Sequence, residues 1–135
     1  SYAENVVALA RAEAAGASES LLANTRGELC EGTGSNVFVA VGGVLHTPPL
    51  SSGCLAGITR ELVLEALADA GDPAQETVLG FDVLEQADEV FLTSSTRDVQ
   101  AVQHVDGRPL SGAPGPLPRR AAEAFAAAYA DRPDP

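Results

Sequence analysis

The sequence predicts a mixed α/β domain in which a barrel-like sheet of mixed strand direction is flanked by helices. Three observations carry that expectation. Residues 36–41, NVFVAV, alternate side chains in the manner of a strand, and Gly42-Gly43 turn them into a second apolar run, VLHT. Ile58, Leu62, Ala66 and Ala70 recur at i+4 spacing, with Val63 and Leu67 widening the stripe, so residues 58–70 should form a helix that Gly71 stops. Strand-like and helical stretches run through all 135 residues without an internal repeat or a linker, which fits one domain over 1–135.

Taken in order, Ser1-Tyr2-Ala3-Glu4 has capping-box spacing, and the alanine-rich segment after it predicts a helix ending at Gly16. Residues 19–23 read as a strand, Thr25-Arg26-Gly27 as a turn and residues 28–31 as a second short strand. In the run at 36–41, Val37, Val39 and Val41 share one face and Phe38 takes the other. Pro48-Pro49 ends the hairpin. After the 58–70 helix come a strand at 76–79, a helical turn at 83–87 and a strand at 89–93. A strand over 99–105 should pair through Asp106-Gly107 with Arg108-Pro109-Leu110. A Gly- and Pro-rich loop precedes a terminal helix at 118–130, and residues 131–135 form a loose tail.

Charge narrows the choice of partner. Nineteen Asp and Glu face eight basic residues, for a net charge of −11, and every basic residue is arginine. That balance argues against nucleic acid or an anionic membrane surface, since both demand clustered positive charge. The absence of lysine also removes a Walker-type phosphate loop. No apolar run reaches the ~18–20 residues that span a bilayer, and Ser1 onward shows neither a basic start nor a hydrophobic signal core. Cys30 and Cys54 make neither a disulfide framework nor a zinc set, so both are expected reduced and structural, in a cytoplasmic protein.

Three turn segments could carry chemistry. Glu31-Gly32-Thr33-Gly34-Ser35-Asn36 fails as a dinucleotide fingerprint, because a strand follows the glycines where a helix is required. Its plain reading is a strand-connecting turn with a solvated glutamate. Leu55-Ala56-Gly57-Ile58-Thr59-Arg60 opens the 58–70 helix, where free amides, a glycine and a hydroxyl suit an anion; an ordinary cap by Thr59 is the alternative. Thr93-Ser94-Ser95-Thr96 offers four hydroxyls at a strand end, for phosphate or carboxylate, or simply as a polar turn. His46 and His104 read as surface or edge residues without a metal role. Asp69, Asp72, Asp82, Glu85, Asp88 and Glu89 read as a solvated acidic surface, and Cys54 as a packing cysteine close to the helix start.

Together, EGTGSNVF, TPPLSSGCLAGITRE and DEVFLTSSTRDV resemble, in order and spacing, the class IV (fold type IV) pyridoxal-phosphate enzymes. That family includes branched-chain aminotransferases, D-amino acid transaminases and 4-amino-4-deoxychorismate lyases. The likeness covers residues 1 to about 105 and implies the large C-terminal domain of the D-amino acid aminotransferase-like fold, with pyridoxal 5'-phosphate as cofactor. It implies that Glu31 meets the pyridine nitrogen, where a carboxylate keeps the ring protonated and therefore a better electron sink. It places phosphate contacts on the Ile58 and Thr59 amides, the Thr59 hydroxyl and Ser95. Leu55 would pack on the ring face, and Thr96 would meet the substrate carboxylate. Tyr2 would lie near the ring hydroxyl, or else serve as a packing residue at a helix start.

Two departures qualify the likeness. Gln100-Ala101 stands where many relatives have Thr-Pro, and the family's catalytic lysine falls just before the position matched by Ser1. The resemblance thus implies a lysine and a small N-terminal domain upstream, no catalytic residue within these 135 residues and no activity from them alone. FLTSSTRDVQ resembles bacterial members of the lyase kind, so 4-amino-4-deoxychorismate lyase-like chemistry on a small amino substrate is expected. A branched-chain or D-amino acid transaminase is the alternative; from another class, a non-catalytic binding or assembly module could retain the fold. The family also implies a homodimer.

Overall fold

A computed structural model describes residues 19–110 and 115–130. The helix expected before Gly16, Tyr2 and the tail at 131–135 lie outside the described residues. The strands are β1 (Leu21–Ala23), β2 (Leu29–Gly32), β3 (Asn36–Val41), β4 (Val44–Thr47), β5 (Gln75–Glu76), β6 (Glu89–Ser94), β7 (Asp98–Val102), β8 (His104–Val105) and β9 (Arg108–Pro109). The helices are α1 (Ile58–Asp69), α2 (Val83–Gln86) and α3 (Pro116–Ala130), with a 3-10 turn at Leu50–Ser52.

The sheet is built outward from β3, whose first five residues are all buried. It lies between β4 and β6 in a five-stranded sheet of order β5-β4-β3-β6-β7. Every pairing in that sheet is antiparallel except the parallel β4–β5 contact. Two ribbons, β1–β2 and β8–β9, stand apart from it. The expected mixed α/β architecture is present, but the described strands form an open sheet and no closed barrel.

Period-2 alternation along β3 assigns its side chains to two cores. Val37 and Val39 face Leu29, Leu84, Val90 and Leu92, a layer closed by the β1–β2 ribbon and α2. Phe38 and Ala40 face Phe91, Val63, Leu67 and Phe125 beneath α1 and α3. Phe38 lies directly opposite Phe91 in the β3–β6 register, their rings stacked with centroids 4.7 Å apart. Burying each ring contributes about 1.5–3 kcal/mol, and the stacked pair adds about 0.5–1.5 kcal/mol. The β3–β4 hairpin turns on Gly42 (φ 59°) and Gly43 (φ 81°), successive left-handed conformations that match the twist of the flanking strands.

Several expectations need correction. Helix α1 has the expected length, but Ile58 is 76% exposed and Ala70 lies outside the helix; the face turned to the sheet carries Val63, Ala66 and Leu67. The i+4 stripe is displaced because the first turn buries the polar Thr59 and Arg60 instead. The strand expected at 76–79 is only Gln75–Glu76, since Thr77 and Leu79 turn to bond Thr47 and Leu29 of different strands. The run at 99–105 breaks at Gln103, whose carbonyl accepts from Leu110 N at 3.0 Å. Glu89 is no surface acid. It is buried, and its carboxylate accepts the Leu117 amide at 3.1 Å in the first turn of α3, where a negative charge favours the helix. Asp88 likewise accepts from Gly42 N at 2.9 Å and so fastens the hairpin turn.

Candidate functional site

The three turn segments meet at one end of the five-stranded sheet. Asn36 starts β3 and is paired with Thr93 near the end of β6, so the Glu31–Asn36 turn and the β6–β7 turn adjoin. The buried Asn36 side chain then reaches a third segment, donating to Leu55 O at 2.8 Å. Glu31 reaches the same residue from the other end of its turn: Oε1 accepts from Leu55 N at 2.7 Å. Leu55 is thereby held at both its amide and its carbonyl, two residues before Gly57 begins α1.

Gly57 is needed there for space rather than for backbone freedom. Its φ of −62° suits any residue. A Cβ at that position would lie 2.3 Å from Asn36 Oδ1. Gly32 is similarly constrained, since a Cβ would stand 2.2 Å from Ser35 Oγ. Both contacts show backbone drawn in close around the site end of the sheet.

Helix α1 opens without a side-chain cap. The plain alternative for Thr59, an ordinary cap, therefore does not hold; the N-cap is Gly57. Uncapped first-turn amides leave donors and a positive dipole end available to an anion. Thr59 is buried in that turn, while Leu55 and Ile58 are 75% and 76% exposed and offer apolar surface beside it. Ser95 and Thr96 are exposed in the β6–β7 turn, which is ordered by Arg97 N donating to Ser94 Oγ at 3.2 Å. Two hydroxyls at this end, Ser35 Oγ and Thr93 Oγ1, are buried with no partner among the described residues.

Arg60 braces the helix start from below. It is 1% exposed, donates to Pro48 O at 3.1 Å and Glu76 Oε1 at 2.6 Å, and pairs with Glu61. Sequence pattern gave no signal for it, because an arginine in a first helical turn is ordinarily solvated. Asn36 is visible in sequence only as a turn residue; its tethering role depends on contacts across the fold. Cys54 is buried with Sγ toward the Pro48 and Pro49 carbonyls, the expected packing role. Burial raises its thiol pKa despite the nearby Arg60 charge. Burial foremost, with the Glu31 and Cys54 charges, pushes the Cys30 thiol up to about 11. His46 bonds Thr77 Oγ1 at 3.0 Å, and the described residues contain no metal-ligating cluster.

The family model for amino-transferase class IV matches residues 1–105. Over 114 residues the chain is 43% identical to a D-alanine aminotransferase of Bacillus licheniformis, covering 84% of this chain and 40% of that protein. The branched-chain amino acid aminotransferase of Thermobaculum terrenum, solved in its PLP-bound holo form, superposes with a TM-score of 0.87 at 29% identity. That match covers 94% of this chain and 42% of the other. A Legionella pneumophila structure assigned as a 4-amino-4-deoxychorismate lyase gives a TM-score of 0.87 at 29% identity, over 93% of this chain and 47% of its own. The chain therefore spans less than half the length of each of these proteins.

Proposed function

The chain belongs to the class IV aminotransferase family, and from that premise we propose that it is the cofactor-binding unit of a pyridoxal 5'-phosphate enzyme acting on a small amino compound. The observation that carries the proposal is the double tether on Leu55, which sets a carboxylate beside an uncapped helix start. A ligand with a basic ring nitrogen at one end and a phosphate at the other matches that donor set. The unpartnered Thr93 hydroxyl and the exposed Leu55 and Ile58 side chains fit it too.

When bound, pyridoxal phosphate supplies a pyridinium ring able to stabilise negative charge at a substrate carbon. The chain's own residues then have defined tasks. Glu31 holds a proton at the ring nitrogen, with its contact to Leu55 N fixing the carboxylate's direction. The Ile58 and Thr59 amides, the Thr59 hydroxyl and Ser95 bind the phosphate, and Leu55 covers the ring face and excludes water from it. Thr96 orients the substrate carboxylate, and Tyr2 is assigned to the ring hydroxyl. The proton at the substrate carbon must be moved by a base, a task the family resemblance gives to a lysine, and the sequence contains none. A homodimer in the cytoplasm is part of the same proposal.

Transamination is the favoured reaction, because the D-alanine aminotransferase likeness is the stronger in identity. The lyase reading is kept second, supported by the Legionella structure. Glu31→Gln in the intact protein tests the site: the amide still accepts from Leu55 N but cannot keep the ring nitrogen charged. Cofactor should remain bound while proton abstraction from D-alanine or a branched-chain amino acid slows. Unchanged turnover at saturating cofactor would overturn the role of Glu31.

A further inference from the structure

Glu19 lies outside the three turn segments, yet its carboxylate joins two of them. Its side chain is 8% exposed. Oε1 accepts from the Thr33 hydroxyl and, at 3.1 Å, from Gly34 N, both in the Glu31–Asn36 turn. Oε2 stands 3.6 Å from the Arg97 guanidinium, in the β6–β7 turn. Arg97 is held in turn by Gln100 Oε1 at 2.8 Å. Ser20 O adds a backbone bond to Thr33 N at 3.0 Å, so the chain beside Glu19 is itself fixed to the turn. A Cβ on Gly32 would come within 3.3 Å of Glu19 Cγ, and glycine at that position lets the carboxylate lie against the turn.

We propose that Glu19 and Arg97 form a clasp that sets the spacing between the turn carrying Glu31 and the turn carrying Ser95 and Thr96. The proposal rests on the reading of these turns as the two ends of one ligand site. Each turn is closed by its own backbone pair, Gly32 with Ser35 and Ser94 with Asp98, and the two meet through the Asn36–Thr93 pair at their bases. Beyond those pairs, the described side chain that spans the two loops is Glu19, hydrogen-bonded to Thr33 and Gly34 on one side and ion-paired at 3.6 Å with the half-exposed Arg97 on the other. Glu19 and Arg97 are thus positioning residues, acting through Glu31 and Ser95 without touching the ligand.

The first test is amide hydrogen exchange on the chain without ligand. Arg97→Ala leaves the Glu31–Asn36 turn untouched in sequence, yet exchange at Thr33 and Gly34 should accelerate about two- to fivefold, the worth of a half-exposed ion pair. Phe38 and Phe91 amides in the core should not change. Unaltered Gly34 exchange would overturn the clasp. Glu19→Gln is the variant to use if Arg97→Ala unfolds: it keeps an acceptor for Thr33 and Gly34 but loses the charge facing Arg97, so exchange should rise at the β6–β7 turn alone.

The second test separates positioning from general destabilisation. Pyridoxamine 5'-phosphate touches both turns, whereas inorganic phosphate touches only the phosphate end. Titration calorimetry on the intact protein should show Arg97→Ala weakening pyridoxamine phosphate about fivefold and inorganic phosphate less than about twofold. Equal losses for both ligands would make the role merely structural and refute the proposal. If wild-type protein bound neither, the cofactor reading would fail, and the exchange experiment would still decide whether the clasp exists.

Discussion

Gly57→Ala isolates the close approach on which the site depends. At φ −62° and ψ 140° alanine adopts the backbone without strain, so restricting the unfolded chain would by itself stabilise the protein by about 0.4–1 kcal/mol. The new Cβ, however, would lie 2.3 Å from Asn36 Oδ1, about 1 Å inside normal contact. Asn36 has no easy retreat, being 6% exposed and bonded through Nδ2 to Leu55 O at 2.8 Å. Breaking that bond and leaving buried polar atoms unpaired costs about 1–3 kcal/mol, and crowding adds a comparable amount. After the entropic gain, a net loss of about 1–5 kcal/mol is expected, measured by urea denaturation with the slope held constant. Gly34→Ala is the control, since nothing lies within 4 Å of its Cβ position. In an Asn36→Ala background the Gly57→Ala penalty should largely vanish, because the clashing atom is gone. Gly57→Ala as stable as Gly34→Ala, or additive with Asn36→Ala, would refute the steric account.

Two further outcomes follow from buried groups. Arg60→Leu should cost about 1–3 kcal/mol in denaturant unfolding, because the buried Pro48 carbonyl loses its donor while the half-exposed Glu61 and Glu76 turn to water; Arg60→Lys should recover part but not all of it, as one ammonium cannot span all three acceptors. Cys30 has a thiol pKa raised by burial from 9.0 to about 11, so the folded state holds its proton more tightly than the unfolded chain. Its contribution is intact below pH 9.0 and is lost as pH climbs through about 11. Stability of the wild type should therefore fall more steeply than that of Cys30→Ala across this interval, and parallel curves would contradict the assignment.

The hairpin at Gly42-Gly43 and the extent of α1 were legible because both depend on local rules, left-handed turn residues in one case and helical periodicity in the other. The site turns were legible as a set of three, through their order and residue types. What could not be read was the partnership between them. Asn36 looks like any polar turn residue until β3 pairs with β6 and brings Leu55 within reach. Glu89 looks solvated until α3 arrives with an amide to be bonded. Arg60 breaks the expected apolar stripe because its charge is matched by Glu76 and Pro48 from other segments. In each case a polar side chain is buried, and burial of polarity is decided by partners distant in sequence, which no local pattern encodes.

The pairing of Asn36 with Thr93 also ties the proposed site to the longest-range contacts of the sheet. The β3–β4 hairpin and α1 both involve near neighbours and can form early, but β6 enters the chain only after the intervening helix and loops. Closing that long loop has an entropic cost that only the completed β3–β6 ladder, with its stacked phenylalanines, can offset. The turn bearing Glu31 and the turn bearing Ser95 become neighbours in that same step. A chain without that ladder would lack the neighbouring turns even with the hairpin and helix in place, so the proposed site requires a complete central sheet.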